Sequence, residues 1–259
     1  MTSPILLTGG TGTLGRLVIP RLREAGAEVR VLSRRSHPSE EGVQFYVGDL
    51  DTGEGVAAAT DGVDAIVHCA GSQVGDDDRT RVLVREAARS GSPHLVYISV
   101  VGADRIEVVS RFDRRAFGYF ASKRAAERVV EESGMPWTTL RATQFHDLML
   151  TVSAALAKSP VIPLPRGRFQ PVDAGEVATR LVELAFGEPS GLVPDLAGPR
   201  VYDVAELLRS YLRATHRRRL ILPVKLPGRA ARSFTQGGNL APDRAVGHRT
   251  WEDFLAENV

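Results

Sequence analysis

Residues 4–26 read PILLTGGTGTLGRLVIPRLREAG, and this stretch decides the fold. It opens with an apolar run at 4–8, continues through the glycine-rich segment TGGTGTLG at 8–15, and ends with apolar residues at helical spacing. A strand, a glycine-rich turn and a helix in this order are typical of the first βαβ unit of an open α/β sheet. The alternative is an ordinary tight turn that binds nothing. The stretch therefore predicts a strand–turn–helix unit whose turn is a candidate nucleotide site.

The glycines of this turn are Gly9, Gly12 and Gly15. Their spacing permits a tight turn and lets the backbone approach a pyrophosphate closely. The N–H groups of Thr13, Leu14 and Gly15 would point at the anion from the helix N-terminus. We therefore predict these five residues as part of a cofactor-binding site.

Short apolar runs alternate with helical patterns over the first 141 residues. The alternation predicts βαβ units and a Rossmann-type, doubly wound parallel sheet covered by helices on both faces. After residue 142 the rhythm changes to helices and a proline-rich segment. We predict a core over 1–142 and a smaller C-terminal α/β substrate lobe over 143–259, without a clean linker between them. The predicted strands of the core cover residues 4–8, 28–33, 43–47, 64–70, 94–99 and 137–141.

The second predicted strand ends in Ser33, Arg34 and Arg35. A site for NAD places an acidic residue here for the ribose 2′-hydroxyl, whereas arginine suits the 2′-phosphate of NADP. A solvated basic turn is the alternative. Arg34 and Arg35 at this position favour NADP(H) over NAD(H) as the cofactor.

Two further segments follow predicted strands at the same edge of the sheet. GDL at 48–50 offers Asp49, which could accept a hydrogen bond from an adenine amine or merely cap the next helix, with Leu50 beside it. CAGS at 69–72 offers Ala70 and Gly71, which are small enough for a cofactor to pass close to the chain. We predict all four as cofactor-binding residues.

Composition excludes several classes of protein. The 259 residues include 33 Lys+Arg and 31 Asp+Glu, a balance too even to indicate nucleic acid. The chain holds one cysteine, which precludes an internal disulfide, and no pair of histidines has zinc-site spacing. No apolar run is long enough to span a bilayer, and no signal-peptide pattern is present. We expect a cytoplasmic protein with a small-molecule substrate, no metal, no membrane contact, no nucleic-acid partner and an open oligomeric state.

Tyr119 and Lys123 lie four residues apart within a helical pattern over 117–132. Positions four apart share one face of a helix, and an ammonium close to a phenol favours its ionised form. Such a pair suits proton transfer. The alternative is an amphipathic helix with a half-buried tyrosine and a solvated lysine.

With these motifs in order, the chain resembles the short-chain dehydrogenase/reductase superfamily, and more narrowly its atypical, NmrA-like, NAD(P)H-binding branch. The resemblance is carried by TGGTGTLG, VLSRR, GDL, YISVVGAD, Tyr119-x-x-x-Lys123 and LRATQFHD, and it continues through QPVDAGEVA, LAGP and TWEDFL. It covers nearly the whole chain. It implies a Rossmann-type sheet, a nicotinamide cofactor and a C-terminal substrate lobe.

The resemblance also implies residue roles. In reductases of the superfamily the tyrosine protonates the substrate carbonyl, the lysine hydrogen-bonds the nicotinamide ribose, and a serine or threonine steadies the carbonyl oxygen. Carried onto this sequence, the catalytic residues are Tyr119, Lys123 and Ser99. Ser99 departs from the pattern, because the catalytic hydroxyl often lies one or two places later, where valines stand. Thr143 is a further cofactor candidate, and Gln144, Phe145 and His146 are substrate candidates.

Two functions remain open from the sequence. The first is an NADPH-dependent oxidoreductase that transfers hydride to a small carbonyl or quinone-like substrate. The second is a non-catalytic NADP(H)-binding redox sensor of the NmrA type, which needs the nucleotide pocket but no substrate cavity. A nucleotide-sugar epimerase or dehydratase is less consistent with the short C-terminal part.

Overall fold

A computed structural model describes residues 4–38, 41–72 and 75–259. The chain divides into two compact units, each made of several segments. The chain returns to the first unit after residue 142, so these units are not the sequential pieces 1–142 and 143–259, whose roles as cofactor core and substrate lobe stay a prediction. The first unit comprises Met1–Ser99, Ser122–Leu140 and Gly175–Val193, and the second comprises Val100–Ala121, Arg141–Ala174 and Pro194–Val259.

The first unit is built around a seven-stranded sheet. Its strands are β1 (Ile5–Thr8), β2 (Val29–Ser33), β3 (Val43–Val47), β4 (Ala65–His68), β5 (His94–Val100), β6 (Trp137–Ala142) and β9 (Gly191–Leu192). They lie in the order β3-β2-β1-β4-β5-β6-β9, with parallel pairing from β3 through β5 and between β6 and β9. This is the Rossmann order, and it confirms the predicted fold class.

The strand order reverses direction between β1 and β4. In open α/β sheets, ligands bind outside the carboxyl ends of the strands at such a switch point. The residues that follow β1 and β4 are the predicted glycine-rich turn and the Ala70–Gly71 segment. The topology therefore brings two of the predicted cofactor segments to one place.

The first unit buries the central strands of its sheet, whereas the edge strands β3 and β9 are partly exposed. Leu6 on β1, Ile66 on β4 and Leu95 on β5 are fully buried in one apolar cluster. Each such side chain contributes about 1.5–3 kcal/mol relative to an exposed one. The helices associated with this sheet are α1 (Thr13–Glu24), α2 (Val56–Thr60), α3 (Asp76–Arg89), α4 (Arg111–Glu131) and α6 (Ala174–Phe186), of which α4 begins in the second unit.

The second unit contains two small sheets, one antiparallel and one parallel. Its fully buried Trp251 donates its indole N–H to the Leu207 carbonyl at 3.1 Å. The helices expected after residue 142 are present. Its elements are α5 (His146–Leu156), β7 (Val161–Pro165), β8 (Arg168–Phe169), β10 (Tyr202–Asp203), α7 (Val204–Ala214), β11 (Leu220–Val224), α8 (Arg229–Thr235), a 3₁₀ turn (Pro242–Arg244) and α9 (Trp251–Asn258).

Candidate nucleotide site and the tyrosine helix

The turn between β1 and α1 is so tight that two of its glycines are required by the chain itself. Gly9 has φ +72°, and a methyl group there would lie 2.6 Å from the Ala70 nitrogen. A methyl group on Gly15 would lie 2.2 Å from the Gly9 carbonyl oxygen. The positive φ and the nearby Ala70 backbone explain Gly9, and packing of α1 against the turn explains Gly15, without any ligand.

Gly12 is different. Its φ of −81° suits any residue, and a methyl group there would meet only the Gly9 oxygen, at 3.3 Å. As the residue before α1, Gly12 supplies no side-chain cap, and no acidic residue occupies the first helical turn. The first N–H groups of α1, on Thr13, Leu14 and Gly15, have no partner within the helix. A close-approaching anion such as a pyrophosphate explains both the glycine and the uncapped helix end, so this turn fits the predicted dinucleotide.

The end of β2 presents two exposed arginines. The Ser33 hydroxyl accepts a hydrogen bond from the Arg35 backbone N–H at 3.2 Å, which fixes the turn after the strand. Arg34 and Arg35 form no ion pair within residues 4–38, 41–72 and 75–259. The pKa of Asp51 is lowered chiefly by the Arg79 hydrogen bond, with a smaller attraction from Arg34. The Arg34 charge therefore lies close to the loop after β3.

The loop after β3 holds Asp49 and Leu50. The Asp49 carboxylate accepts the Asp51 N–H at 2.8 Å, so it stabilises its own turn. It is partly exposed, and its second oxygen leaves room for the predicted adenine contact. Leu50 belongs to the apolar core of the first unit. Any contact of Leu50 with a cofactor therefore comes from its backbone or from the edge of the side chain.

A chain of hydrogen bonds runs beneath the turn. The Ala70 N–H donates to the Thr8 hydroxyl at 3.2 Å, and Thr8 contacts His68 Nδ1 at 2.6 Å. His68 Nε2 lies 3.2 Å from the Thr80 hydroxyl, which donates to the Asp76 carbonyl at 2.6 Å. The Thr80 hydroxyl donates its only proton to that carbonyl, so it can only accept a hydrogen bond from His68. We therefore assign the proton of the neutral His68 ring to Nε2. These hydrogen bonds fix the segment after β4 against α3.

The Lys123 side chain is buried under this segment, only 3% exposed. Its Nζ lies 3.2 Å from Asp76 Oδ2 and donates to the Tyr97 hydroxyl at 3.3 Å and the Ile98 carbonyl at 3.2 Å. A methyl group on Gly71 would lie 3.0 Å from this ammonium. The lysine is therefore not the solvated residue of the alternative interpretation. The Lys123 ammonium packs against the loop that follows β4.

This arrangement adds two residues that sequence reasoning missed. The Lys123 ammonium pairs with the Asp76 carboxylate and donates to the Tyr97 hydroxyl and the Ile98 carbonyl, so Asp76 and Tyr97 belong to its surroundings. Asp76 is itself held by the Ser72 N–H at 2.6 Å. In the sequence it begins the run DDD at 76–78, which resembles ordinary helix-start acids. Only the fold distinguishes Asp76 from its neighbours.

Ser99 and Cys69 complete the polar groups at this edge of the first unit. The Ser99 hydroxyl is buried and has no hydrogen-bond partner among the described residues. An unsatisfied buried hydroxyl costs about 1–3 kcal/mol, so a ligand that supplies a partner would be favoured there. Burial raises the pKa of the Cys69 thiol to about 12, which excludes a thiolate nucleophile. No group of acidic, histidine and cysteine side chains in the described ranges is arranged to hold a metal ion.

Tyr119 lies on α4, one turn before Lys123, in the part of the helix that belongs to the second unit. It is 39% exposed, and its ring meets Phe120 edge-on at 6.0 Å. The helix is continuous through both residues and begins at Arg111, earlier than the predicted Phe117. The tyrosine is therefore accessible, whereas the lysine is enclosed.

Two predicted residues of the second unit follow β6. Thr143 is buried, and its hydroxyl accepts the Gly198 N–H at 3.3 Å. Gln144 is also buried, and neither its amide nitrogen nor its amide oxygen has a partner among the described residues. Thr143 therefore has a structural role in its own unit, while Gln144 keeps a donor and an acceptor for a ligand.

His146 is placed differently from its prediction as a substrate residue. It begins α5 after Phe145, and its side chain is fully buried, with ring centroids 5.1 Å from Phe254 and 6.0 Å from Trp251. Burial lowers its pKa to about 4, so the ring is neutral at pH 7. His146 is a core residue of the second unit, and we do not assign it a substrate contact.

The buried histidines predict an acid-sensitive fold. Burial lowers the pKa of His68 to about 3 and that of His146 to about 4, whereas an unfolded histidine titrates near 6.5. Below pH 6.5 these two histidines bind protons in the unfolded chain but stay neutral in the folded chain. The free energy of unfolding should therefore fall between pH 7 and 5, by about 1.4 kcal/mol per pH unit for each histidine once below pH 6.5. Urea titrations between pH 7 and 5 measure this slope. His146→Phe should reduce the slope by the contribution of one histidine. Equal free energies of unfolding at pH 7 and 5 would contradict the lowered histidine pKa values.

A sequence profile described as NAD(P)H-binding matches residues 9–161, more than half of the chain. The chain belongs to this NAD(P)H-binding family. The match begins at Gly9 and includes every predicted cofactor residue, and the predicted nicotinamide dinucleotide is confirmed at the level of the family. The suspected membership of an NAD(P)H-binding family is confirmed by this match.

Two relatives are similar to this chain over part of their length. A (4-alkanoyl-5-oxo-2,5-dihydrofuran-3-yl)methyl phosphate reductase of Streptomyces griseus is 30% identical over 161 residues, which are 61% of this chain and 54% of that protein. An NAD(P)H azoreductase of Xenophilus azovorans is 29% identical over 212 residues, 78% of this chain and 71% of that protein. The chain thus spans about half the length of the first relative.

A solved structure shares the fold across almost the whole chain. It is an NADPH-dependent quinone oxidoreductase from Escherichia coli complexed with NADPH, with a TM-score of 0.79 at 17% identity over 98% of this chain and 99% of that one. This NAD(P)H-binding chain therefore has the same architecture, including its C-terminal part. In the residues described, no helix is long and apolar enough to cross a membrane.

Proposed function

We propose that this protein is an NADPH-dependent reductase that transfers hydride to a small carbonyl or quinone-like substrate. The observation that carries the proposal is the α4 helix, which holds an accessible Tyr119 one turn before the enclosed Lys123. Lys123 lies directly below Gly71, in the segment that follows β4 at the switch point of the sheet. The relatives named as an azoreductase and a quinone oxidoreductase support an electron-poor acceptor.

Four residues have separate roles in the proposed reduction. The bound dinucleotide supplies the hydride. Tyr119 donates the proton to the oxygen of the reduced substrate, which an accessible phenol on a rigid helix can do. Lys123 holds a fixed positive charge close to the cofactor segment, and Asp76 keeps that ammonium in place. The buried Ser99 hydroxyl, which has no hydrogen-bond partner in the part of the chain that the structure describes, can hydrogen-bond the substrate or the cofactor.

Arg34 and Arg35 select NADPH over NADH in this proposal. Both are exposed at the end of β2, where the ribose 2′-phosphate lies in this fold. Arg34→Ala should weaken NADPH binding by about 1.5–3 kcal/mol, the value of a charge-assisted hydrogen bond, and leave NADH binding nearly unchanged. Calorimetric titration of both cofactors measures this difference. Arg128→Ala, an exposed arginine on α4, is the matched control and should change neither affinity.

The activity itself is tested by a panel of aldehydes, ketones, quinones and azo dyes, with NADPH oxidation followed at saturating cofactor. Turnover of at least one class, with lower kcat/KM for NADH than for NADPH, is the expected result. The competing function is an NADP(H)-responsive sensor that binds without turnover. Tight NADPH binding together with no oxidation across the whole panel would favour the sensor and overturn the reductase proposal.

A further inference from the structure

The charges of this protein are strongly segregated. Residues 148–172 and 207–242 contain eleven Lys and Arg and no Asp or Glu. The whole chain has 33 basic and 31 acidic residues, which leaves 22 basic and 31 acidic residues for the remainder. Both segments belong to the second unit. A nearly neutral chain therefore carries one strongly basic region, which indicates an anionic partner.

The two segments meet in the parallel pair β7–β11, which has an exposed apolar face. Ile162 and Leu164 of β7 point into the core of the second unit. The opposite face of the pair consists of Val161 and Pro163 on β7, adjacent in register to Leu220 and Leu222 on β11. Leu220 is 57% exposed and Leu222 45%. A sheet face turned to solvent normally carries polar residues, so four exposed apolar residues indicate a contact surface.

Cations stand at both ends of this apolar face. Because β7 and β11 run parallel, Lys158 before β7 and Arg218 before β11 lie at one end of the pair. Arg166 after β7 and Lys225 after β11 lie at the other end. All four are exposed. Aliphatic side chains bordered by ammonium and guanidinium groups match the boundary between phosphate headgroups and acyl chains.

A groove beside β11 concentrates the arginines further. It has a volume of about 460 Å³ and is lined by Arg209, Arg213, Arg217, Arg218 and Arg219 together with Leu212 and Ile221. A fixed turn holds the arginine run in place: His216 has φ +53°, and the Arg217 N–H donates to the Leu212 carbonyl at 2.8 Å. None of the five arginines pairs with a carboxylate within the described ranges. Arg213 donates to the Ser210 hydroxyl and Arg219 to the Ala157 carbonyl, but both partners are neutral, so no carboxylate neutralises the positive charge of the groove.

We propose that this basic–apolar face, made of Val161, Pro163, Leu220, Leu222 and the arginine groove, docks the protein on an anionic phospholipid surface. The guanidinium groups attract and hydrogen-bond lipid phosphates, and the leucines enter the interface between headgroups and acyl chains. The proposal departs from the expectation of no membrane contact, which rested on the lack of a spanning segment. Docking at the surface needs no such segment, and it goes beyond the reductase proposal.

Other occupants fit the face less well. A second copy of the chain would oppose two arginine grooves, and like charges facing each other are unfavourable. Single-stranded nucleic acid needs stacking on aromatic rings, whereas the face offers aliphatic Val161, Leu220 and Leu222. A lipid surface uses both the charge and the aliphatic residues.

Vesicle flotation of the full protein tests the proposal, with neutral phosphatidylcholine vesicles compared with vesicles that also contain phosphatidylglycerol. Binding is expected only to the anionic vesicles and should decrease with salt. The triple variant Arg209→Gln, Arg217→Gln and Arg218→Gln should weaken partitioning about a hundredfold, at about fivefold per charge. The control is Arg23→Gln, Arg115→Gln and Arg128→Gln, three exposed arginines outside the face. It makes the same change in net charge and should partition like the unmodified protein.

Insertion of the leucines is measured separately. Leu222→Trp should give a blue-shifted fluorescence increment on addition of anionic vesicles, and Leu220→Ser with Leu222→Ser should weaken partitioning. No flotation, equal flotation with neutral vesicles, or equal losses in the two triple variants would overturn the proposal. So would tighter binding to random duplex DNA than to anionic vesicles, or self-association in solution that the first triple variant abolishes.

Discussion

Tyr119→Phe is expected to lower kcat for reduction of a simple aldehyde or ketone about 10²–10⁴-fold, the effect of losing a general acid. The alkoxide formed on hydride transfer needs a proton, and Tyr119 is the accessible phenol one helical turn from Lys123. NADPH affinity should be nearly unchanged, because the tyrosine acts on the substrate. Steady-state kinetics and calorimetric cofactor titration on the same preparation measure the two quantities.

Two controls make this result specific. Phe112→Leu changes another exposed aromatic residue near the start of α4 and should leave kcat close to its original value. Quinone reduction should be less sensitive to Tyr119→Phe, because a quinone can accept hydride first and take its proton from water. A phenylalanine variant that reduces the simple carbonyl at the unmodified rate would show that Tyr119 is not the acid.

Asp76→Ala is expected to lower the free energy of unfolding by about 3–5 kcal/mol, because it leaves the buried Lys123 ammonium without its counter-ion. Both side chains are almost fully buried and lie 3.2 Å apart. The Tyr97 hydroxyl and the Ile98 carbonyl also accept from this ammonium, but they are neutral and cannot replace a carboxylate. Urea titration at pH 7 measures the loss.

The matched control is the pair between Asp51 and Arg79, which joins atoms at a similar distance, 2.7 Å, on the surface. Asp51→Ala should cost no more than about 1 kcal/mol, because solvent screens an exposed pair. A double variant, Asp76→Leu with Lys123→Met, should recover most of the stability lost in Asp76→Ala, since it removes both buried charges. Equal small losses at Asp76 and Asp51 would show that the buried pair is not a structural centre of the cofactor segment.

Regular local patterns predicted much of the fold. The six strands predicted before residue 142 all form, because short apolar runs bounded by turn residues can bury themselves only as strands of a covered sheet. The glycine turn was predictable because its backbone geometry depends on residues close in sequence. The two-residue strands β9 and β10 and the helix α8 carry too few residues to produce a period, and they were missed.

The site was predicted less completely. The sequence placed Lys123 on the helix of Tyr119, but it gave no sign that Asp76 and Tyr97, from α3 and β5, surround the ammonium. It also suggested His146 as a substrate residue, because helix-start position and residue type are visible in the sequence and burial is not. Contacts between residues far apart in the chain exist only after the sheet has assembled.

By itself, the sequence determined the strand–turn–helix unit at Gly9–Gly15, the Rossmann-type sheet, the arginines in the position of an NADP site and the absence of acidic residues over 207–242. These follow from periodicity, glycine geometry and charge, which act over a few residues. Tertiary structure decided which polar groups lose their water: it enclosed Lys123 with Asp76, buried His146, and left Leu220 and Leu222 exposed among arginines. Burial depends on the packing of distant elements, and desolvation then sets the charge state and the available partners of each group.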